Sequence, residues 1–234
     1  MTRILGIVGG TGPESTVDYY RSIIETWQQR AGDGSYPRLI INSVEAGRIF
    51  RLLGEGDFSG VARDISLAVA QLAAAGAGAA LLASNATHLA FDEIDAGSAI
   101  PLIHIVDAAR AAAVSRGHRR LGIFGTRFVM EAPMYPERFG AEGMTVVAPQ
   151  PSERDYIHEK YFGELVRGQF LDSTRDGLVE IIRRMRERDD IDALILGGTE
   201  LALILTESSY AGVAIVNTAQ THAKAAVDWL LGST

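Results

Sequence analysis

Short apolar runs that end in small residues alternate along this chain with stretches of helical spacing, and that alternation restricts the fold more than any other feature. Arg3–Val8, Leu39–Val44, Ala79–Ala83, Leu102–Ile105, Arg120–Phe124, Met144–Val147, Asp192–Leu196 and Val213–Val216 read as strands. Between them Glu14–Trp27, Ser59–Ala75, His88–Ile94, a segment capped by Asp107, Val129–Phe139, Glu153–Val166, Asp172–Arg188 and Thr218–Leu231 read as helices. Strand and helix in alternation build a parallel sheet covered by helices, so the expected class is α/β.

A quasi-repeat sharpens that expectation. Gly6-Ile7-Val8-Gly9-Gly10-Thr11 is echoed by Gly122-Ile123-Phe124-Gly125-Thr126, and Leu81-Leu82-Ala83-Ser84-Asn85-Ala86-Thr87-His88 by Leu194-Ile195-Leu196-Gly197-Gly198-Thr199-Glu200-Leu201. Two similar lobes are expected, residues 1–105 plus 211–234 and residues 106–210. Ligands of parallel sheets bind beyond the carboxyl ends of the strands. That rule gathers Gly9–Thr11, Ser84–Thr87, Thr126–Arg127 and Gly197–Glu200 around one cleft.

The first strand end suits an anion. Glycines let backbone approach a ligand, and Pro13 and Glu14 open a helix whose first N–H groups carry partial positive charge. A dinucleotide fingerprint fails because Ser15 stands where the third small residue belongs, and a P-loop fails because no lysine precedes Lys160. The plainer reading is a turn between strand and helix.

Composition narrows the partner. With 47% hydrophobic residues in 234 the chain can bury a core, and a net charge of −7 argues against nucleic acid or an anionic membrane. No apolar run is long enough to span a bilayer, and the amino terminus lacks a signal-peptide core, so a cytoplasmic protein acting on small molecules is expected. There is no cysteine, which removes disulfides, thiolate metal sites and thiol nucleophiles together. His104, His118 and His158 are scattered without partners at ligand spacing, so no metal is expected.

Gly-Gly-Thr-Gly-Pro-Glu-Ser-Thr with Asp18-Tyr19-Tyr20-Arg21, then Ser84-Asn85-Ala86-Thr87-His88, Gly125-Thr126-Arg127-Phe128-Val129-Met130-Glu131, Leu196-Gly197-Gly198-Thr199-Glu200-Leu201, Gly163–Phe170 and Asn217-Thr218-Ala219-x-x-His222-Ala223 resemble, in order, the aspartate/glutamate racemase family. The resemblance implies two flavodoxin-like parallel-sheet lobes related by a pseudo-twofold axis, a cleft between them, usually a homodimer, and no cofactor. It also implies two thiols, one per lobe, that move the α-proton. Their positions here are Ser84 and Gly198, so two-thiol racemisation is not expected.

Other groups then become the acid and base candidates: Ser84, His88 and Glu200. The plainer reading of His88 is a residue that hydrogen-bonds backbone at a helix start; that of Glu200 is a carboxylate stabilised by a helix dipole. The substrate-binding set is Gly10, Thr11, Arg48, Asn85, Ala86, Thr126, Arg127, Arg167 and Thr199. Guanidinium grips a carboxylate by two parallel hydrogen bonds, so arginines suit an amino acid or small dicarboxylate. The expected function is a family isomerase with altered acid/base chemistry. The alternatives are a carboxylate-binding pseudoenzyme, or a lyase, cyclase or decarboxylase in the same cleft.

Overall fold

A computed structural model describes residues 3–232; Met1, Thr2, Ser233 and Thr234, at the ends of the expected first lobe, lie outside the described residues. The chain forms two compact units, one from Met1–Ile105 and Ala219–Thr234, the other from Val106–Thr218. In the first unit β1 (Ile4–Gly9) leads to α1 (Pro13–Ala31), β2 (Arg38–Ser43), α2 (Ala46–Glu55), α3 (Phe58–Ala74), β3 (Ala79–Leu82), a 3-10 turn Ala86–Ala90, α4 (Phe91–Ala96) and β4 (Leu102–Ile103). All four strands are parallel in the order β2-β1-β3-β4. β3 is buried throughout, as its run of Ala and Leu requires of a central strand.

The second unit continues with α5 (Ile105–Ser115), β5 (Arg120–Gly125), α6 (Arg127–Glu131), α7 (Met134–Gly140), β6 (Thr145–Val147), α8 (Pro151–Gly163), a 3-10 turn Leu165–Arg167, α9 (Asp172–Asp189), β7 (Ala193–Gly197), α10 (Leu201–Ile204), β8 (Ser209–Tyr210) and β9 (Val213–Asn217). Its sheet runs β6-β5-β7-β9-β8. The first four of these strands repeat the order of the first sheet, as the quasi-repeat requires. β8 departs from the expected all-parallel sheet, pairing antiparallel with β9 at an edge.

Because β9 hydrogen-bonds to β7, residues 211–218 belong with the second unit and not with the first, where the sequence reading put them. The chain re-enters the first unit along α11 (Thr218–Leu231), whose Ala219, Ala223, Ala226, Val227 and Leu230 join a core with Leu5, Ile7, Tyr19 and Ile23. Alanines at that spacing let a helix lie close on a sheet.

Other elements also differ from the expectation. The helix expected over Val129–Phe139 is two helices, because Ala132 is extended and Pro133 has no N–H to continue the first. α2, which the sequence reading left out, buries Ile49, Leu52 and Leu53 at i, i+3, i+4 and starts on a cap: the Glu45 carboxylate accepts from the N–H groups of Gly47 (2.8 Å) and Arg48 (2.6 Å). α5 begins at Ile105, ahead of Asp107. α8 stops at Gly163. Among the described residues no helix is long and apolar enough to cross a membrane.

Candidate active site

In the first unit the ends of β1 and β3 are adjacent, since Leu82 stands opposite Val8 and the Ala83 amide donates to Val8 O at 2.9 Å. Gly10 and Thr11 therefore emerge beside Ser84, Asn85 and Ala86. Gly10 has φ +96°, and a Cβ there would lie 2.3 Å from Val44 O, so glycine is set by both conformation and space. Its amide donates to Thr16 Oγ1 at 2.8 Å, which uses one donor of the expected anion turn internally. Thr11, Ser84, Asn85, Ala86, Thr87 and His88 are all buried.

The loop after β3 is tied down by its own side chains. Ser84 O accepts from Thr87 Oγ1 at 3.0 Å and from His88 Nδ1 at 2.7 Å. A carbonyl only accepts, so His88 carries its proton on Nδ1, and its Nε2 accepts from the Ile105 amide at 3.2 Å. His88 thus caps α5, the role expected of Asp107, and holds the Ser84 backbone. With both ring nitrogens on backbone groups, it follows the plainer of its two readings.

Behind this loop the structure gathers histidines that look scattered in sequence. The His88 ring lies 4.9 Å from that of His104 and 5.9 Å from that of His222. His222 is fully buried; it donates from Nε2 to Ile103 O at 2.8 Å and accepts on Nδ1 from the Tyr19 hydroxyl at 2.9 Å. Burial holds its pKa down to about 3, with His104 adding to the effect and the Ile103 hydrogen bond opposing it. It is a neutral structural imidazole.

In the second unit Gly125 stands opposite Gly197, so Thr126 and Gly198-Thr199-Glu200 leave the sheet side by side. Thr126 caps α6, its hydroxyl accepting from the Val129 amide at 3.4 Å. Glu200 is 2% exposed; Thr199 Oγ1 donates to its Oε2 at 3.0 Å, and the Tyr161 hydroxyl donates to the same oxygen.

Tyr161 is absent from the sequence reading. It reaches the site on α8, where Glu153, Ile157, Tyr161 and then Leu165 form a buried i, i+4 stripe. The start of α8 is fixed because Glu153 accepts from the Gln150 amide at 2.9 Å and pairs with Arg184 (3.1 Å) and Arg188 (3.2 Å) of α9. A phenol on an inward stripe needs a polar partner, which was the available clue. Its ring fills the space beside Gly198, where a Cβ would lie 2.5 Å from Tyr161 Cε2. Burial, and then the Glu200 carboxylate, push the Tyr161 hydroxyl well above the usual phenol range.

Unlike these buried groups, the three arginines are exposed. Arg48, in the first turn of α2, is half exposed and forms a salt bridge with Asp64 of α3. Arg127 is exposed and pairs with Asp155 at 2.8 Å. Arg167 is exposed on the turn after α8, and among the described residues no carboxylate lies within salt-bridge distance of it. Among the described residues no three His, Asp or Glu side chains gather as a metal would need.

A model of the Asp/Glu/hydantoin racemase family matches residues 8–226. Two solved structures are similar over their whole length. One, from Yersinia pestis, is described as a candidate Asp/Glu racemase: TM-score 0.87, 31% identity, 98% of this chain and 99% of that one. The other is an aspartate racemase homologue from Pyrococcus horikoshii OT3: TM-score 0.84, 30% identity, 99% and 100%. The Picrophilus torridus aspartate racemase shares the fold at 18% identity, with TM-score 0.81 over 97% and 94%.

Proposed function

This chain belongs to the Asp/Glu/hydantoin racemase family, and on that premise we propose that it is an isomerase working at the α-carbon of an amino acid or small dicarboxylate. It does so without a cofactor and with oxygen acids in place of thiols. The observation that carries this reading is the buried oxygen cluster at the end of β7, where Thr199 and Glu200 share a hydrogen bond in a chain without cysteine. Removing an α-proton needs a base within hydrogen-bond reach, and a carboxylate is the strongest base that a neutral-pH oxygen site offers.

In this reading Ser84 in the first unit and the cluster around Glu200 in the second supply the acid/base chemistry, His88 positions the Ser84 loop, and Arg167 holds a substrate carboxylate. Gly10, Thr11, Asn85, Ala86 and Thr126 shape the strand ends, while Arg48 and Arg127 would have to leave Asp64 and Asp155 to contribute. We take the protein as a cytoplasmic homodimer, on the family resemblance and on a charge of −7 that disfavours polyanionic partners.

A second reading, a lyase or decarboxylase, is favoured by one observation. Both ring nitrogens of His88 are held by backbone groups, so this imidazole is not free to act as a base for Ser84. One-sided proton delivery to a carbanion needs no second base.

Incubation in deuterated water with each amino acid in both hands, and with small dicarboxylates, separates these readings. The isomerase exchanges the α-hydrogen and interconverts the enantiomers. A lyase or decarboxylase releases product instead. A ligand that raises the melting temperature and is recovered unchanged after long incubation identifies a pseudoenzyme.

A further inference from the structure

Building on the proposed α-carbon chemistry, we infer that Tyr161 is the group of the second unit that exchanges a proton with the substrate carbon, and that Glu200 stores that proton. The phenol stands in for the side chain that residue 198 lacks. A Cβ on Gly198 would lie 2.5 Å from Tyr161 Cε2, 3.0 Å from Cζ and 3.1 Å from the hydroxyl, so the glycine and the ring imply one another. The acid–base group arrives from α8 instead of from the strand end itself.

Packing alone does not call for this arrangement. A structural tyrosine is satisfied by one backbone carbonyl. Here its hydroxyl donates to a carboxylate 2% exposed, and the Thr199 hydroxyl donates to the same oxygen at 3.0 Å. Bringing a carboxylate and a phenol together out of water is unfavourable for folding. All three groups sit beyond the carboxyl end of β7, the side on which sheets of this type bind ligands.

The proton transfer balances within the pair. As the α-C–H bond breaks, its electron pair stays on carbon and spreads into the substrate carboxyl group. The proton joins the Tyr161 oxygen while the phenol proton passes to Glu200. Glu200 ends as a carboxylic acid and the phenol is unchanged. Return of the proton reverses each step, and no oxidant, reductant or metal takes part. In deuterated water the Tyr161 hydroxyl, which now carries the substrate's proton, exchanges before the return, so the carbon recovers deuterium. Burial beside the carboxylate keeps the phenol neutral between turnovers.

The test compares the full-length wild type with Tyr161→Phe, which keeps the ring against Gly198, and Glu200→Gln, which keeps the shape of the carboxylate. Each is assayed by proton NMR for α-hydrogen exchange on every amino acid in both hands and on small dicarboxylates, across pH, with melting temperature as the check on folding. Both variants are expected to lose about a hundredfold or more in kcat with KM changed by less than about threefold. Wild-type kcat in either folded variant overturns the relay and leaves the isomerase reading standing. A wild type that exchanges neither an amino acid nor a small dicarboxylate overturns that reading and the relay with it. If Tyr161→Phe fails to fold, Glu200→Gln decides alone by the same criterion.

Discussion

The ends of β3 and β7 occupy equivalent places in two sheets of matching strand order, and they have dispensed with a thiol in opposite ways. At β3 the replacement is Ser84, a side chain of nearly the same size, on a loop clamped by Thr87 and His88. At β7 the side chain has vanished at Gly198, and the ring of Tyr161 has moved into the space. The first exchange changes chemistry and keeps shape. The second changes which element supplies the chemistry, so it can be undone only by altering two elements at once.

Introducing cysteines breaks this comparison most sharply. Ser84→Cys is expected to shift stability by less than about 1 kcal/mol, because a slightly larger atom enters a site already built for a side chain. Gly198→Cys must displace a buried ring and is expected to destabilise by about 3 kcal/mol, the upper end of overpacking effects. Urea denaturation of both measures the difference. In a Tyr161→Ala background the Gly198→Cys penalty should disappear; a penalty that persists there would show that the ring is not its cause.

The clamp at β3 predicts the next effect in size. His88→Ala removes an imidazole that ties Ser84 O to the Ile105 amide, leaving two buried backbone groups without that partner. A loss of about 2–3 kcal/mol is expected in chemical denaturation, since the Ile105 amide is orphaned at a cost of about 1–3 kcal/mol and Ser84 O keeps only the Thr87 hydroxyl. The change should also lower turnover by freeing the Ser84 loop. A catalytic imidazole would instead give low kcat at unchanged stability, so the two readings of His88 separate on the denaturation curve.

Acid reaches the same unit through His222. Its folded pKa, about 3, lies below the unfolded value of about 6.5, so the unfolded chain takes up the proton first. The stability of the neutral imidazole is complete above pH 6.5 and falls by about 1.4 kcal/mol per unit as pH drops toward 3. Tyr19, His88 and His104 face it, and none of them supplies a carboxylate to offset its charge. His222→Gln should flatten the acid limb of a melting-temperature profile, and an unchanged limb would assign the loss elsewhere.

Legibility in the sequence followed the range of the interactions. Eight of the nine strands among the described residues, the two matching lobes implied by the repeat and the placement of Ser84 and Glu200 at strand ends follow from local periodicity and turn chemistry, which sequence displays. α2 was passed over although Ile49, Leu52 and Leu53 stand at helical spacing, because the run is short and holds Gly47 and Gly54, and the break at Ala132-Pro133 was passed over within an otherwise helical run. Tyr161 escaped for a different reason: it stands 37 positions from Gly198, and only packing shows that one fills the space left by the other. The membership of residues 211–218 was likewise decided by a strand pairing, β9 on β7, that no nearby residue announces.

The arginines give the smallest effect and the finest comparison. Arg48 and Arg167 stand equal in sequence as guanidinium groups for a substrate carboxylate, but Arg48 is bound to Asp64 and Arg167 faces no carboxylate among the described residues. Arg48→Ala breaks a half-exposed ion pair, and exposed pairs contribute about 0–1 kcal/mol, so its melting temperature should shift little. Its KM should also rise less than that of Arg167→Ala, because a guanidinium already bidentate to one carboxylate must give that up to take another. For Arg167→Ala a KM increase of about tenfold is expected, the size of one charge-assisted hydrogen bond in binding. An Arg48→Ala KM increase equal to or above that would mean that substrate draws Arg48 away from Asp64, and the Asp64→Asn variant should then bind substrate more tightly than wild type.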